Sequence, residues 1–154
     1  MTGRFLIELT DPRFFIRDNA DVIEFIRRVN PFAHSDVGSL LFQLGKAIPG
    51  AGAYCPVPSV YSYVVLHTES DRIFAIAFGM SGLAFKLSPE TEETARSDGG
   101  ERVPEIGAGW MRFEPWSRAP RSVTDERLAR WCARACDLAR GTDSAPDGGE
   151  AIVR

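Results

Sequence analysis

An α+β fold, with an antiparallel sheet of four to five strands and flanking helices, follows from three features of the chain. Between Tyr61 and Leu87 lie three short stretches of β-branched and aromatic residues, YSYVVLHT, RIFAIAFG and LAFKL, joined by the turn-like Glu69-Ser70-Asp71 and Met80-Ser81-Gly82. Apolar residues at helical spacing occur before and after them. Proline and glycine punctuate the chain between these segments.

Taken in order, Gly3 to Leu9 reads as a short strand that Asp11-Pro12 ends. Asp18 or Asn19 can cap a first helix, whose apolar face is Val22, Ile23, Ile26 and Val29. Asn30-Pro31 stops it, because a residue before proline resists the right-handed helical region. Ser35 or Asp36 can cap a second helix carrying Val37, Leu40, Leu41 and Leu44 on one side. Pro49 to Pro58 is rich in glycine and proline and reads as a loop.

The three central stretches form a meander, and side chains alternate along each strand. Phe74, Ile76 and Phe78 are expected on one face of the second stretch, and Leu83, Phe85 and Leu87 on one face of the third; together these sets line the core. Ala75 and Ala77 leave the other face of the second stretch shallow. Ser88-Pro89-Glu90 opens a short helix with proline at its first position, and Asp98-Gly99-Gly100 closes it. After a loop from Pro104 to Gly109, Trp110 to Glu114 alternates as another strand. Thr124-Asp125-Glu126 starts a last helix with the apolar stripe Leu128, Trp131, Cys132, Ala135 and Ala139. One domain over residues 1–140 and a disordered tail over 141–154 are expected.

The 154 residues are enough for a core that needs no staple, and the three cysteines are not a secreted disulfide framework. No stretch reaches the length of a membrane span, so a reducing cytoplasm is the expected location and no membrane partner is expected. Sixteen arginines against two lysines fit a GC-rich bacterial coding bias. The net charge of −3 speaks against a large nucleic-acid footprint. That charge is uneven: residues 112–140 hold seven arginines against four acids.

Several groups invite chemistry. Arg127, Arg130 and Arg134 occupy one arc of the last helix, and with Arg118 and Arg121 they could meet phosphates; a plain solvated helix face is the preferred reading. Lys86 is expected opposite Leu83, Phe85 and Leu87. Trp110 and Arg112 share one face of the strand they occupy. If the two strands are neighbours, cations and an aromatic ring lie on one side of the sheet, suited to an anionic or planar ligand; an amphipathic sheet face under a covering loop is the preferred reading. His67 shares a strand face with Tyr61, Tyr63 and Val65 and could bond a ligand or simply a neighbour. His34 reads as a surface or capping residue. Cys132 and Cys136 sit one helical turn apart, yet lack the second ligand pair of a zinc site and read as packing. Gly79-Met80-Ser81-Gly82 is not a nucleophile elbow, because residue 83 is leucine and a strand follows. No cofactor or metal motif is present.

From Ile48-Pro49-Gly50 onward the order of features resembles the MmcQ/YjbR group, relatives of the TfoX N-terminal domain. The resemblance is carried by Arg72-Ile73-Phe74-Ala75, by Phe85-Lys86-Leu87-Ser88-Pro89-Glu90, by Gly109-Trp110-Met111-Arg112-Phe113 and by the closing helix from Thr124. It implies a compact α+β domain of double-wing type, a kind often labelled DNA-binding, and it brings no catalytic residues. The chain departs from the group in having Arg72 where lysine is usual, and in the region from Tyr54 to Thr68, which has no close counterpart. The expected function is a non-enzymatic binding or interaction module, acting on a protein partner or a second copy. The alternatives are sequence-independent DNA binding through the arginine-rich helix, and a small enzyme or ligand-binding protein using the polar sheet face.

Overall fold

The computed structural model describes residues 11–56, 62–115 and 126–141. The strand expected at Gly3 to Leu9, together with Tyr61, Arg118, Arg121, Thr124 and the tail from residue 142 on, lies outside them. Helices α1 (Ala20–Val29) and α2 (Ser35–Lys46) lead into strands β1 (Gly52–Tyr54), β2 (Val64–His67), β3 (Ile73–Phe78) and β4 (Gly82–Lys86). Helix α3 (Glu92–Ser97), strands β5 (Glu101–Arg102) and β6 (Trp110–Phe113), and helix α4 (Glu126–Arg140) complete the chain. The fold is α+β, with one antiparallel sheet in the order β1-β2-β3-β4-β6-β5.

The described residues hold six strands rather than four or five. β1 lies inside the segment read as a glycine- and proline-rich loop, and β5 has only two residues. Both are too short to show a period of two, and partner strands rather than local propensity define them.

Nearly every residue of β2, β3 and β4 is buried, on both faces. On one face α2 and α4 cover Val64, Leu66, Ala75, Ala77, Leu83, Phe85, Met111 and Phe113. The shallow Ala75 and Ala77 thus become the floor on which helices sit. Gly45 of α2 approaches β2 so closely that a Cβ there would lie 2.6 Å from Leu66 Cδ2. On the other face α1 and Phe14 cover Tyr63, Val65, Ile76, Ala84 and Trp110.

Phe74 does not share a face with Ile76 and Phe78 as the alternation predicts; it packs with the α2 and α4 layer, and they pack with the α1 layer. The cause is a register shift between Leu66 and His67. Leu66 pairs with Ala75 and His67 with Ile73, which leaves Phe74 as an extra residue.

The helix starts also differ from expectation. Asn19 makes no side-chain cap to α1. It is fully buried and pins α1 to the sheet. Its Nδ2 donates to Phe14 O and Asp71 O, each at 2.9 Å, and its Oδ1 accepts from Ile73 N at 2.8 Å. α2 is capped by His34, whose Nδ1 accepts the Asp36 N–H at 3.1 Å, and not by Ser35 or Asp36. Asn30 ends α1 in the left-handed region, and Val29 is 47% exposed rather than part of the buried face, where Phe25 takes its place.

Truncating Asn19 removes the partner of three backbone groups at once, with two of the three bonds buried. The N19A variant is expected to lose about 2–4 kcal/mol, read as a lowered urea midpoint with an unchanged slope.

Candidate functional site

β4 and β6 are neighbours, so the residues singled out on them meet as expected: Lys86 pairs with Trp110 and Ala84 with Arg112. The face they occupy is not open. Trp110 is buried under α1, and its Nε1 donates to Asp21 Oδ2 at 3.2 Å. Lys86 Nζ lies 3.6 Å from the same oxygen and 3.4 Å from Asp18 O. Asp21 therefore ties the first turn of α1 to both residues. Gly107 closes on it from the loop before β6, its missing Cβ position lying 3.0 Å from Asp21 Oδ2.

Arg112 lies two residues further along the strand, and its guanidinium is directed to Glu114 Oε2 at 3.1 Å, not towards Lys86. It lines a polar cleft of about 310 Å3 with Gly99, Glu101, Glu114 and Arg127. His67 sits elsewhere again: its Nδ1 is 2.9 Å from Thr68 O, and Phe14 packs edge-on to the ring at 5.0 Å. β1 crosses so close that a Cβ on Gly52 would lie 2.6 Å from His67 Cε1. His67 is a packed core residue with a backbone partner, and the structure separates it from Lys86 and Trp110.

The arginines of α4 dock the helix. Arg127 donates to Asp98 O and Glu114 O, both at 2.7 Å. Arg130 reaches Asp98 Oδ2 at 2.9 Å, and Trp131 Nε1 donates to the same oxygen at 2.8 Å. Arg134 lies over the Trp131 ring at 5.8 Å. At the other end of α4, Arg140 bonds Glu69 Oε1 at 2.9 Å and Pro49 O at 2.6 Å, and Arg72 donates to Ala139 O at 3.1 Å. Half-exposed pairs like these contribute up to about 1 kcal/mol each. Burying Leu128 or Trp131 contributes about 1.5–3 kcal/mol, so the apolar stripe drives docking and the arginines set its register.

The Trp131 N–H and then Arg130 hold the Asp98 carboxyl below the usual aspartate range. Glu69 is held low first by a backbone N–H and then by Arg140. Cys132 and Cys136 lie fully buried in the α4 stripe. Burial pushes the Cys132 thiol up to about 12 and raises that of Cys136. Among the described residues no cluster of three or more histidine, cysteine or acidic side chains is arranged to hold a metal. No described helix is long and apolar enough to cross a membrane.

Two further hollows open at the sheet end where β4 finishes and β6 begins. The larger, about 480 Å3, is walled by Ser88, Pro89, Pro104 and the turn Gly107-Ala108-Gly109, with Trp110 and Met111 as its floor. Gly109 has φ +88°, and a Cβ there would lie 2.8 Å from Leu87 O, so the turn takes this path only with glycine. Glu92 and Arg102 form an ion pair at the rim. The smaller, about 140 Å3, lies between Lys86, Arg72 and α4. Sequence reasoning named Lys86 and Trp110 but missed Asp21 and the turn; nothing local marks Asp21, which lies 89 positions before its tryptophan.

No protein-family model, curated protein or solved structure matches this chain significantly.

Because Asp98 is depressed in the folded state, its contribution is complete above the unfolded aspartate value near 4 and is lost as pH falls through the folded value. D98N is expected to lower stability at neutral pH by about 1 kcal/mol and to flatten the acid limb of the pH–stability curve, read by urea unfolding across that range. The Cys132 thiol is expected to stay unreactive to a thiol reagent at mildly alkaline pH until the chain unfolds, read by absorbance with and without denaturant.

Proposed function

We propose that this chain is a binding domain of the MmcQ/YjbR-like kind, which holds a small, largely apolar ligand in the cleft formed by Ser88, Pro89 and the Gly107–Gly109 turn. The order of features from Ile48 to α4, on an antiparallel sheet with flanking helices, supports the kinship. The observation that carries the binding role is the cleft itself. At about 480 Å3 it falls in the size range of small-molecule sites. Its floor is rigid, because the Trp110 indole is held by Asp21 from behind and β6 is paired on both edges. Apart from Ser88 its walls are proline, alanine, glycine and backbone, with charge only at the Glu92–Arg102 rim. That lining suits holding an apolar body and offers little for turning it over.

Phosphate binding by α4 is less well supported. Of the three arginines named for it, Arg127 and Arg130 are directed to carbonyl and carboxylate oxygens of the fold itself, and Arg134 lies over the Trp131 ring.

Ala108 is exposed at the mouth of the cleft, so a large side chain there fills the space without disturbing the core. Native mass spectrometry of the freshly purified protein, followed by thermal-shift screening of apolar small molecules, is expected to give ligands for the wild type that A108W no longer binds. Equal responses from the two proteins, with both folded by circular dichroism, would overturn the assignment.

A further inference from the structure

We propose that the smaller hollow is a second binding site, specific for a short-chain monocarboxylate. It does not depend on the cleft reading above, since it is a different cavity with a different lining.

The hollow lies at the end of the sheet, between the first residues of β3 and the last of β4, where neither helical layer closes the gap. Asp18, Arg72 and Lys86 supply its polar wall; Ile73 from β3 and Ala135 and Leu138 from α4 supply its apolar wall. The Lys86 ammonium has three protons to donate. Its oxygen neighbours stand at 3.4 Å and 3.6 Å, beyond the usual hydrogen-bond range for N–H donors. Arg72 uses Nε on Asp18 Oδ2, at 2.7 Å, and Nη1 on Ala139 O, at 3.1 Å, which among the described residues leaves Nη2 as a donor. A carboxylate can therefore accept one hydrogen bond from Lys86 and one from Arg72 without displacing a short contact.

The charge of the surroundings selects among anions. Arg72 and Lys86 are balanced by Asp18 and Asp21, and the last carbonyls of α4 add partial negative charge. With that balance no anion is drawn in by net charge, and binding rests on the two local donors; they match the two oxygens of a carboxylate, whereas a doubly charged phosphate loses more hydration on entering than two donors return. Size sets the tail: about 140 Å3 is roughly five water volumes, which admits five or six heavy atoms. Ile73, Ala135 and Leu138 favour that tail as hydrocarbon. Propionate and butyrate fit both limits, and a ligand this small binds with a dissociation constant on the order of 1 mM.

An NMR titration of the full chain with sodium butyrate, at fixed ionic strength and with sodium phosphate as comparator, tests this. Saturable shifts are expected at the amides of Ile73, Lys86, Ala135 and Leu138. K86M is expected to weaken binding roughly tenfold or more. L138W, which fills the hollow from a half-buried position, is expected to abolish it, and A108W to leave it unchanged. Spectra of the variants that match the wild type away from the hollow show that each is folded. Non-saturating shifts, phosphate binding as well as butyrate, or K86M binding like the wild type would each overturn the proposal.

Discussion

Everything in this molecule answers to a sheet that is apolar on both sides. β2 is buried along its whole length, and β3 and β4 are buried except at their last residues. An antiparallel sheet can leave one face to water, but this one cannot, so each face must carry helices. The two layers are fastened by the same device. On one side the Trp110 N–H is received by Asp21 of α1, and on the other the Trp131 N–H of α4 is received by Asp98. Each bond satisfies a buried indole donor with a charged acceptor, and each aspartate collects a second cation, Lys86 or Arg130.

That demand for cover decides what is left for function. The arginines that give the C-terminal half its positive balance are largely occupied in holding α4 against the turns at both ends of the sheet. Of Lys86 and Trp110, adjacent across two strands as an exposed ligand pair would be, the tryptophan lies beneath α1 and only the lysine reaches the edge of the covered face. Space remains where coverage stops, at the end of β4 and the start of β6. Both the cleft over Met111 and the hollow beside Lys86 are found there.

The meander and the helical faces were legible because each carries its own period: Val37, Leu40, Leu41 and Leu44 are buried, and the three central strands form where three were expected, though with different ends, Thr68, Arg72, Gly79 and Leu87 falling outside them. The pairing of Lys86 with Trp110 was legible for the same reason, since antiparallel neighbours with period two need only a register. The rest depends on partners distant in sequence. One unpaired residue, Phe74, inverts the facing pattern of the first half of β3. Asn19 looks like a cap and is instead spent on Ile73 and Asp71, more than fifty positions away. Arg112 and Arg127 look free until Glu114 and Asp98 are brought beside them. Edge strands of two and three residues have no pattern of their own to read.

Those two edges have a consequence for how copies of the chain can meet. β1 at one margin offers three residues of backbone and β5 at the other only two. Neither margin is long enough to template a seventh strand, a common route by which β-proteins polymerise. Self-association through the described residues is therefore favoured through side chains, where complementarity can be tuned, over ladder extension, which accepts nearly any extended peptide.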